Sequence, residues 1–444
     1  MSTTTTGSAG SAPAAFRPAL FKRIVVVLIG GMFLDGYVLG IIGTVISPIT
    51  DELQFTTTWQ GLIVASSLIG IFLGSPIGGW ASDRWGRKPL FMIDMLLFLV
   101  GSVMQFWVDG PVGLFIARLI MGLAVGVEYS VGWPMLSEFA PTRSRGRLLA
   151  LNLVAFYAGF MVAFLTGYLL VTNTDTNWRI ILGSSTLIAV VLFLGRLGMP
   201  ESPRWLMNKG RTEEAHRIAE MCMEHPEDLD DIKAETPKQG TFGMLFSRQH
   251  WRSTLFTSAF WLCAVTPYFA IATFAQSVLE SYGLSSGLAG GVGLSALALA
   301  GVVLTVMLIN KVGRRALTVP PQWLCAGLLV LLGLWSGAPA LAVLIGFLVF
   351  SFFNAMYNTL TGIYPGEVFP TEIRGIGTGF ATAVSRIGAA TGTFIMPWSM
   401  THLGPNATIL GVAGLAIIGA ALSQWLAPET KGKTLTEAAA GFGH

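Results

Sequence analysis

Long apolar runs, broken by short polar or charged punctuation, repeat along almost the whole chain. Runs near 22–48, 58–82, 89–108, 112–137, 148–171 and 178–199 precede a charged stretch, and runs near 253–276, 288–310, 316–336, 340–364, 376–400 and 406–427 follow it. A helix that crosses hydrocarbon needs about 20 apolar residues, because each adds about 1.5 Å of rise. The pattern therefore predicts an all-α membrane protein with twelve transmembrane helices. They fall into two bundles of six, 22–199 and 253–427, joined by a loop at 200–252. Residues 1–21 and 428–444 are expected as tails, the first rich in Ser, Thr, Gly and Ala and disordered.

Composition agrees with an apolar solvent. Of 444 residues, 53% are hydrophobic and 11% charged, whereas soluble domains carry about 25% charged residues. The net charge of +3 and the lack of a basic tract argue against nucleic acid as a partner. Cys222, Cys263 and Cys325, and the five histidines, have no metal-ligand or redox spacing. Nothing resembles a Walker loop or a nucleophile elbow, so no cofactor, metal or catalytic role is expected. Met1 to Pro13 has no charged segment before an apolar stretch, which argues against a cleaved signal peptide. Lys and Arg set the orientation: with both termini in the cytoplasm, 23 of 27 lie in cytoplasmic segments, Arg118, Arg196 and Arg386 lie inside spans, and Arg179 alone lies outside. A multi-pass protein of the cell (inner) membrane follows.

The chain also repeats itself. Glu138, Pro141, Thr142, Arg145 and Gly146 follow span 4; Glu367, Pro370, Thr371, Arg374 and Gly375 follow span 10 in the same spacing, 229 positions later. Asp83, Gly86 and Arg87 between spans 2 and 3 match Asn310, Gly313 and Arg314 between spans 8 and 9, offset by 227. Pro200 and Glu201 match Pro428 and Glu429, offset by 228. Three matches at nearly one offset mark duplicated halves. Parallel halves of six spans, with the substrate held between them near mid-bilayer, are a common plan for secondary transporters.

At these residues the chain resembles the major facilitator superfamily. Gly79, Asp83, Arg84, Gly86, Arg87 and Lys88 fit its loop signature; Arg118 with Gly122, Pro200 to Leu206, and Pro428 to Gly432 resemble the sugar-porter branch. Phe33 to Tyr37 and Ser385 to Gly388 are similar to neighbouring metabolite:proton and organic-ion transporters, metabolite transport proteins of enteric bacteria among them. The resemblance implies the major facilitator fold and alternating access. It departs from hexose porters where those carry amides: span 5 reads Asn152 to Tyr157 and span 7 reads Cys263 to Phe269, with aromatic and small apolar groups instead. The expected proton carboxylate is displaced as well, from about Val38 to Asp35. A hexose is thereby disfavoured.

Charges inside spans carry the candidate chemistry, since each costs at least about 2.5–3.5 kcal/mol in hydrocarbon. Asp35 falls near mid-span, with Arg118 on one side of its depth and Glu128 on the other, so either residue of span 4 is a possible partner. Protonating Asp35 would release Arg118 and permit rocking; the alternative is a static ion pair. Glu128 either shares a proton with Asp35 or is satisfied by Tyr129 or backbone. Arg386 either grips a substrate carboxylate or locks spans together. Asp94 is placed at the cytoplasmic interface. Tyr37, Trp133, Tyr157, Trp261, Tyr268, Asn354, Tyr357 and Asn358 are the polar or amphipathic residues expected to line a cavity for a small amphipathic metabolite, or to pack and belt the interface. The resemblance implies a cytoplasmic gate of Asp83, Arg87, Glu138, Arg145, Glu201, Arg204, Arg314, Glu367, Arg374 and Glu429, paired across the halves when the inner side is shut. The expectation is a monomeric proton symporter importing an organic or aromatic acid or a sugar-related compound. A facilitator, an antiporting exporter and a non-transporting receptor are the alternatives.

Overall fold

A computed structural model describes residues 16–141, 145–174, 176–223, 226, 229, 241–284, 287–370 and 373–433. The expected disordered tail at 1–15 and most of 224–240 lie outside these residues. Twelve long helices follow one another: α1 (Pro18–Leu53), α2 (Thr57–Trp85), α3 (Arg87–Trp107), α4 (Pro111–Phe139), α5 (Arg145–Asn173), α6 (Trp178–Arg196), α7 (Trp251–Thr273), α8 (Gly287–Val312), α9 (Arg314–Leu334), α10 (Ala340–Val368), α11 (Arg374–His402) and α12 (Gly404–Leu426). Helix α1 starts four residues inside the segment expected as a tail. Pro18 at its first turn presets the helical backbone angle and has no N–H to orphan. Eleven of the twelve have the length and apolarity of a membrane span. The exception is α11, which has 29 residues but is interrupted by Gly, Thr, Ser and Arg386.

Helices α2 and α4 pack backbone to backbone through small residues. A side chain at Gly70 or Gly74 would run into Leu119 and Leu123 carbonyls, and one at Gly122 or Gly126 into Ser67 and Ile71 carbonyls. Ser130 Oγ donates to Ser75 O at 2.6 Å across the same seam. Without a hydrophobic force between helices in lipid, such close packing with interhelical hydrogen bonds is what holds a bundle.

Each half carries the same latch at the face where its duplicated motifs lie, here called the motif face. Gly86 and Gly313 turn the α2–α3 and α8–α9 connections at φ of 107° and 103°, a region costly to any residue with a Cβ. The space a Cβ would take is filled by the Glu201 and Glu429 carboxylates respectively. Glu201 accepts the Arg87 and Lys88 amides at 2.9 and 3.2 Å; Glu429 accepts those of Arg314 and Arg315 at 3.0 and 3.1 Å. Here the repeat in the sequence is a repeat in three dimensions.

In the loop between halves, the helix Thr212–Cys222 turns Ala215, Ile218, Ala219 and Cys222 onto a small core with Ile24, Leu28, Leu136 and Phe139, and so braces the start of α1. The halves meet along α2–α11 and α5–α8. At the face opposite the motifs they are pressed together. Gly43 of α1 abuts the Thr273 carbonyl of α7, Gly61 of α2 abuts the Phe394 carbonyl of α11, and Phe164 of α5 lies on Gly291 of α8. Towards the motif face they separate.

Candidate functional site

Between the separated halves lies a cavity of about 920 Å³, reaching from mid-depth to the motif face. Its blind end is aromatic. Tyr157 and Phe160 of α5 meet Tyr268 of α7 with ring centroids 5.5 and 5.7 Å apart, which closes the floor across the halves. Trp133, Tyr157, Trp261, Tyr268, Asn358 and Arg386, all expected as lining, do line it, together with Met32, Tyr129, Phe156 and Phe269, which were not expected. The Tyr157 hydroxyl is set against the Asn358 amide of the other half. Three expected lining residues lie elsewhere. Tyr37 is turned into the first half, with its hydroxyl 2.7 Å from Ser184 Oγ. Asn354 donates to Tyr357 Oη at 2.5 Å and to Ala264 O at 3.4 Å, so this pair fastens α10 to α7. An inward-facing polar residue has more than one interior to face, which periodicity alone does not resolve.

The charges that line the cavity are Arg374, at its mouth, and Arg386, deep within. No acid among the described residues lines it. Arg386 comes from α11, is 6% exposed, and has its guanidinium 5.4 Å from the Tyr129 ring centroid and 6.0 Å from that of Phe269. Its Nε has no protein partner. A buried guanidinium among aromatic faces keeps its donors in a planar fork suited to a carboxylate.

Asp35 lies behind this wall, with no exposure and with neither oxygen hydrogen-bonded. The strongest fields on it come from Glu128, Arg196 and Arg386. Arg118, the first partner expected, does not pair with it. Its Nη2 points at the Val38 carbonyl at 3.5 Å, its Nε and Nη1 are unpartnered, and it is 1% exposed. Val38 is about one turn beyond Asp35, so the two helices are in register for a pair but offset by a turn in this conformation.

Glu128 is bound instead to Arg196. That guanidinium, at the end of α6, donates to Glu128 Oε2 at 2.6 Å and to Asp94 Oδ1 at 2.5 Å, and stacks 3.5 Å from the Phe91 ring centroid. All three charged groups are 0–1% exposed. Asp94 is therefore an interior residue and not part of a helix-end interface. The signal for this was in the sequence: Asp94, Arg196 and Glu128 are opposite charges within three spans of one half, and depth along each span puts them near one level.

The expected gate residues are close together, but within each half. Arg87 pairs with Glu138 at 3.1 Å and stands 4.0 Å from Asp83; Arg314 pairs with Glu367 at 2.8 Å. Glu138 also accepts from Ser202 and Glu367 from Thr430. Arg374 donates to the Phe369 carbonyl at 3.2 Å. Arg204 is exposed, and the side chain of Arg145 lies outside the described residues. These ion pairs among the described residues each lie within one half, as befits a motif face that stands open. Burial pushes the Glu201 carboxyl above its ordinary value, only partly offset by the Ser202, Lys88 and Arg87 amides. At Glu429 burial acts the same way, but the amides of Lys431, Arg314, Arg315 and Thr430 outweigh it and hold the carboxyl below.

Comparison with known proteins adds a lineage to this geometry. The family model described as Sugar (and other) transporter matches residues 23–442. The inner membrane metabolite transport protein YgcS of Escherichia coli (strain K12) is 37% identical over 418 residues, 94% of this chain and 93% of that protein. The metabolite transport protein YaaU of the same strain is 34% identical over 422 residues, 94% of each. Among solved structures, a partially occluded inward open form of the xylose transporter XylE from E. coli superposes with a TM-score of 0.79 at 22% identity, covering 94% of this chain and 100% of that one. At that identity the likeness concerns the fold.

Proposed function

Because the chain belongs to the sugar (and other) transporter family of the major facilitator superfamily, and is thus a multi-pass membrane transporter and not an enzyme, we propose that it is a proton-coupled symporter importing a small organic acid. The motif face is cytoplasmic in this reading, so the conformation is open to the inside. The observation that carries the substrate class is Arg386: a buried cation deep in a cavity that, among the described residues, is lined by aromatic rings and by no acid. A carboxylate would occupy the guanidinium fork while an apolar or aromatic body lies on Tyr129, Tyr157, Tyr268 and Trp133. Tyr157, Asn358 and Thr361 supply a polar edge, which favours a hydroxylated, sugar-related acid as the second reading.

Coupling follows from Asp35, which shares Arg386 with the substrate through its field. When a substrate anion engages Arg386, one of the two cations that favour an ionised Asp35 is neutralised, and Asp35 takes up a proton. Anion and proton are then carried together. When the outer side opens, Arg118 is the cation positioned one turn away to receive the ionised Asp35, and Glu128 modulates the exchange. Rocking of the halves is gated by the motif-face charges, which re-pair between halves on closing.

Purified protein in liposomes should concentrate an aromatic or sugar acid when the outside is acidic, as read with radiolabelled compounds first identified by thermal-shift screening. Asp35→Asn should bring the accumulation ratio to one while sparing counterflow. Continued concentration by that variant would remove Asp35 from the coupling role, and uptake of neutral sugars with no response to organic acids would overturn the substrate class.

A further inference from the structure

The cluster behind Asp35 has more acid than base. Asp94 on α3 and Glu128 on α4 each give one oxygen to Arg196 on α6. The two carboxyls are also within hydrogen-bonding reach of one another, and the oxygens left over, Asp94 Oδ2 and Glu128 Oε1, have no other partner. Helix α1 closes the cluster with a glycine: a side chain at Gly31 would collide with Glu128 Oε1 and the Arg196 guanidinium. Glu128 Oε1 is thus buried against α1 with no donor from the protein.

Two ionised carboxylates facing each other in a dry interior repel strongly, and one guanidinium neutralises only one of them. A single proton resolves both problems. It gives one carboxyl an O–H that donates to the other, and the cluster becomes neutral. We infer that Asp94 and Glu128 bind one proton between them, a dyad clamped by Arg196 that forms a second proton-binding site one helical turn towards the motif face from Asp35. The charged groups facing it are Arg196 from α6 and Asp35 from α1, with Arg386 of α11 beyond Asp35. The dyad thus fixes the electrical background against which Asp35 ionises: neutral when it holds its proton, negative when it does not.

The site does not depend on Asp35 being the transported proton's carrier, and the test keeps the two apart. Infrared difference spectroscopy of the purified protein, in H₂O and D₂O, reads the C=O stretch of a protonated carboxyl. In the Asp35→Asn variant at neutral pH one such band should remain, shifted by deuterium, and Asp94→Asn or Glu128→Gln added to that background should each remove it. Absence of the band in Asp35→Asn overturns the dyad, as does its survival in both double variants. Each double variant's melting transition is compared with that of Asp35→Asn, and because the first measurement needs no change in the dyad, a misfolded variant leaves it decisive. Whether Asp35→Asn still concentrates substrate bears on the coupling role alone.

Discussion

Arg386 concentrates the chemistry of the cavity in one side chain. A charge-assisted hydrogen bond contributes about 1.5–3 kcal/mol, and about 1.4 kcal/mol is a tenfold change in binding. Arg386→Gln should therefore raise the KM for an acidic substrate roughly 10- to 100-fold. Arg386→Lys should recover only part of this, since an ammonium lacks the planar fork. Transport kinetics in liposomes check both, with competition by the corresponding neutral amide as the control. At this scale the sequence was informative about which residues matter and less so about which of them meet. Asp35, Glu128 and Arg386 stand out as ionisable groups inside apolar runs, and all three belong to one electrostatic neighbourhood. Depth along the spans matches Arg118 to Asp35, yet depth fixes one coordinate only. The rotation of α4 aims Arg118 at Val38, and the same uncertainty moved Tyr37, Asn354 and Tyr357 from the cavity into helix contacts.

The two latches are copies in sequence and geometry but titrate in opposite senses. Glu429 is held below its ordinary value by four backbone amides, so its contribution to stability is complete above the ordinary carboxylate range and is lost as pH falls through the depressed value. Glu201 is raised by burial, so the folded state holds its proton longer than the unfolded one, and its ionisation removes stability as pH rises from the ordinary range through the raised value. Glu429→Gln should accordingly lower the melting temperature at neutral pH, by an amount that shrinks on acidification. Glu201→Gln should cost less at neutral pH. Scanning calorimetry of the detergent-solubilised variants over pH checks the pair. Both acids were legible as duplicated motif positions. Their opposite titration was not, because it depends on how deeply each half tucks its carboxylate beneath a glycine turn.

Across the whole molecule, closure at one face and separation at the other rest on a few close backbone contacts. Gly43 against Thr273 and Gly61 against Phe394 allow no side chain. Gly43→Leu should wedge that face apart and shift the population towards the state open there and closed at the motif face. A cysteine placed at Thr378, which lines the cavity, should then react more slowly with a membrane-impermeant thiol reagent supplied from the motif face, and equal rates would refute the wedge. The twelve spans and the two halves could be read directly from hydropathy and the repeat, because lipid imposes length on every crossing and apolarity on all but α11. The conformation could not, since one sequence serves both faces of the cycle.

The polarity of α11 bears on how the chain enters the bilayer at all. The insertion machinery admits a segment on its own when its summed transfer free energy is favourable, and a central arginine counts against it by about 2.5–3.5 kcal/mol. Alone among the twelve, α11 falls short of span-like apolarity. It has to be carried in by its neighbours, partnered with the apolar α12 that is synthesised after it and received by α2 and α7. Insertion of the second half should thus pause at the chain's eleventh crossing, and the arginine that charges the cavity is one of the residues that make the nascent chain wait for its last helix.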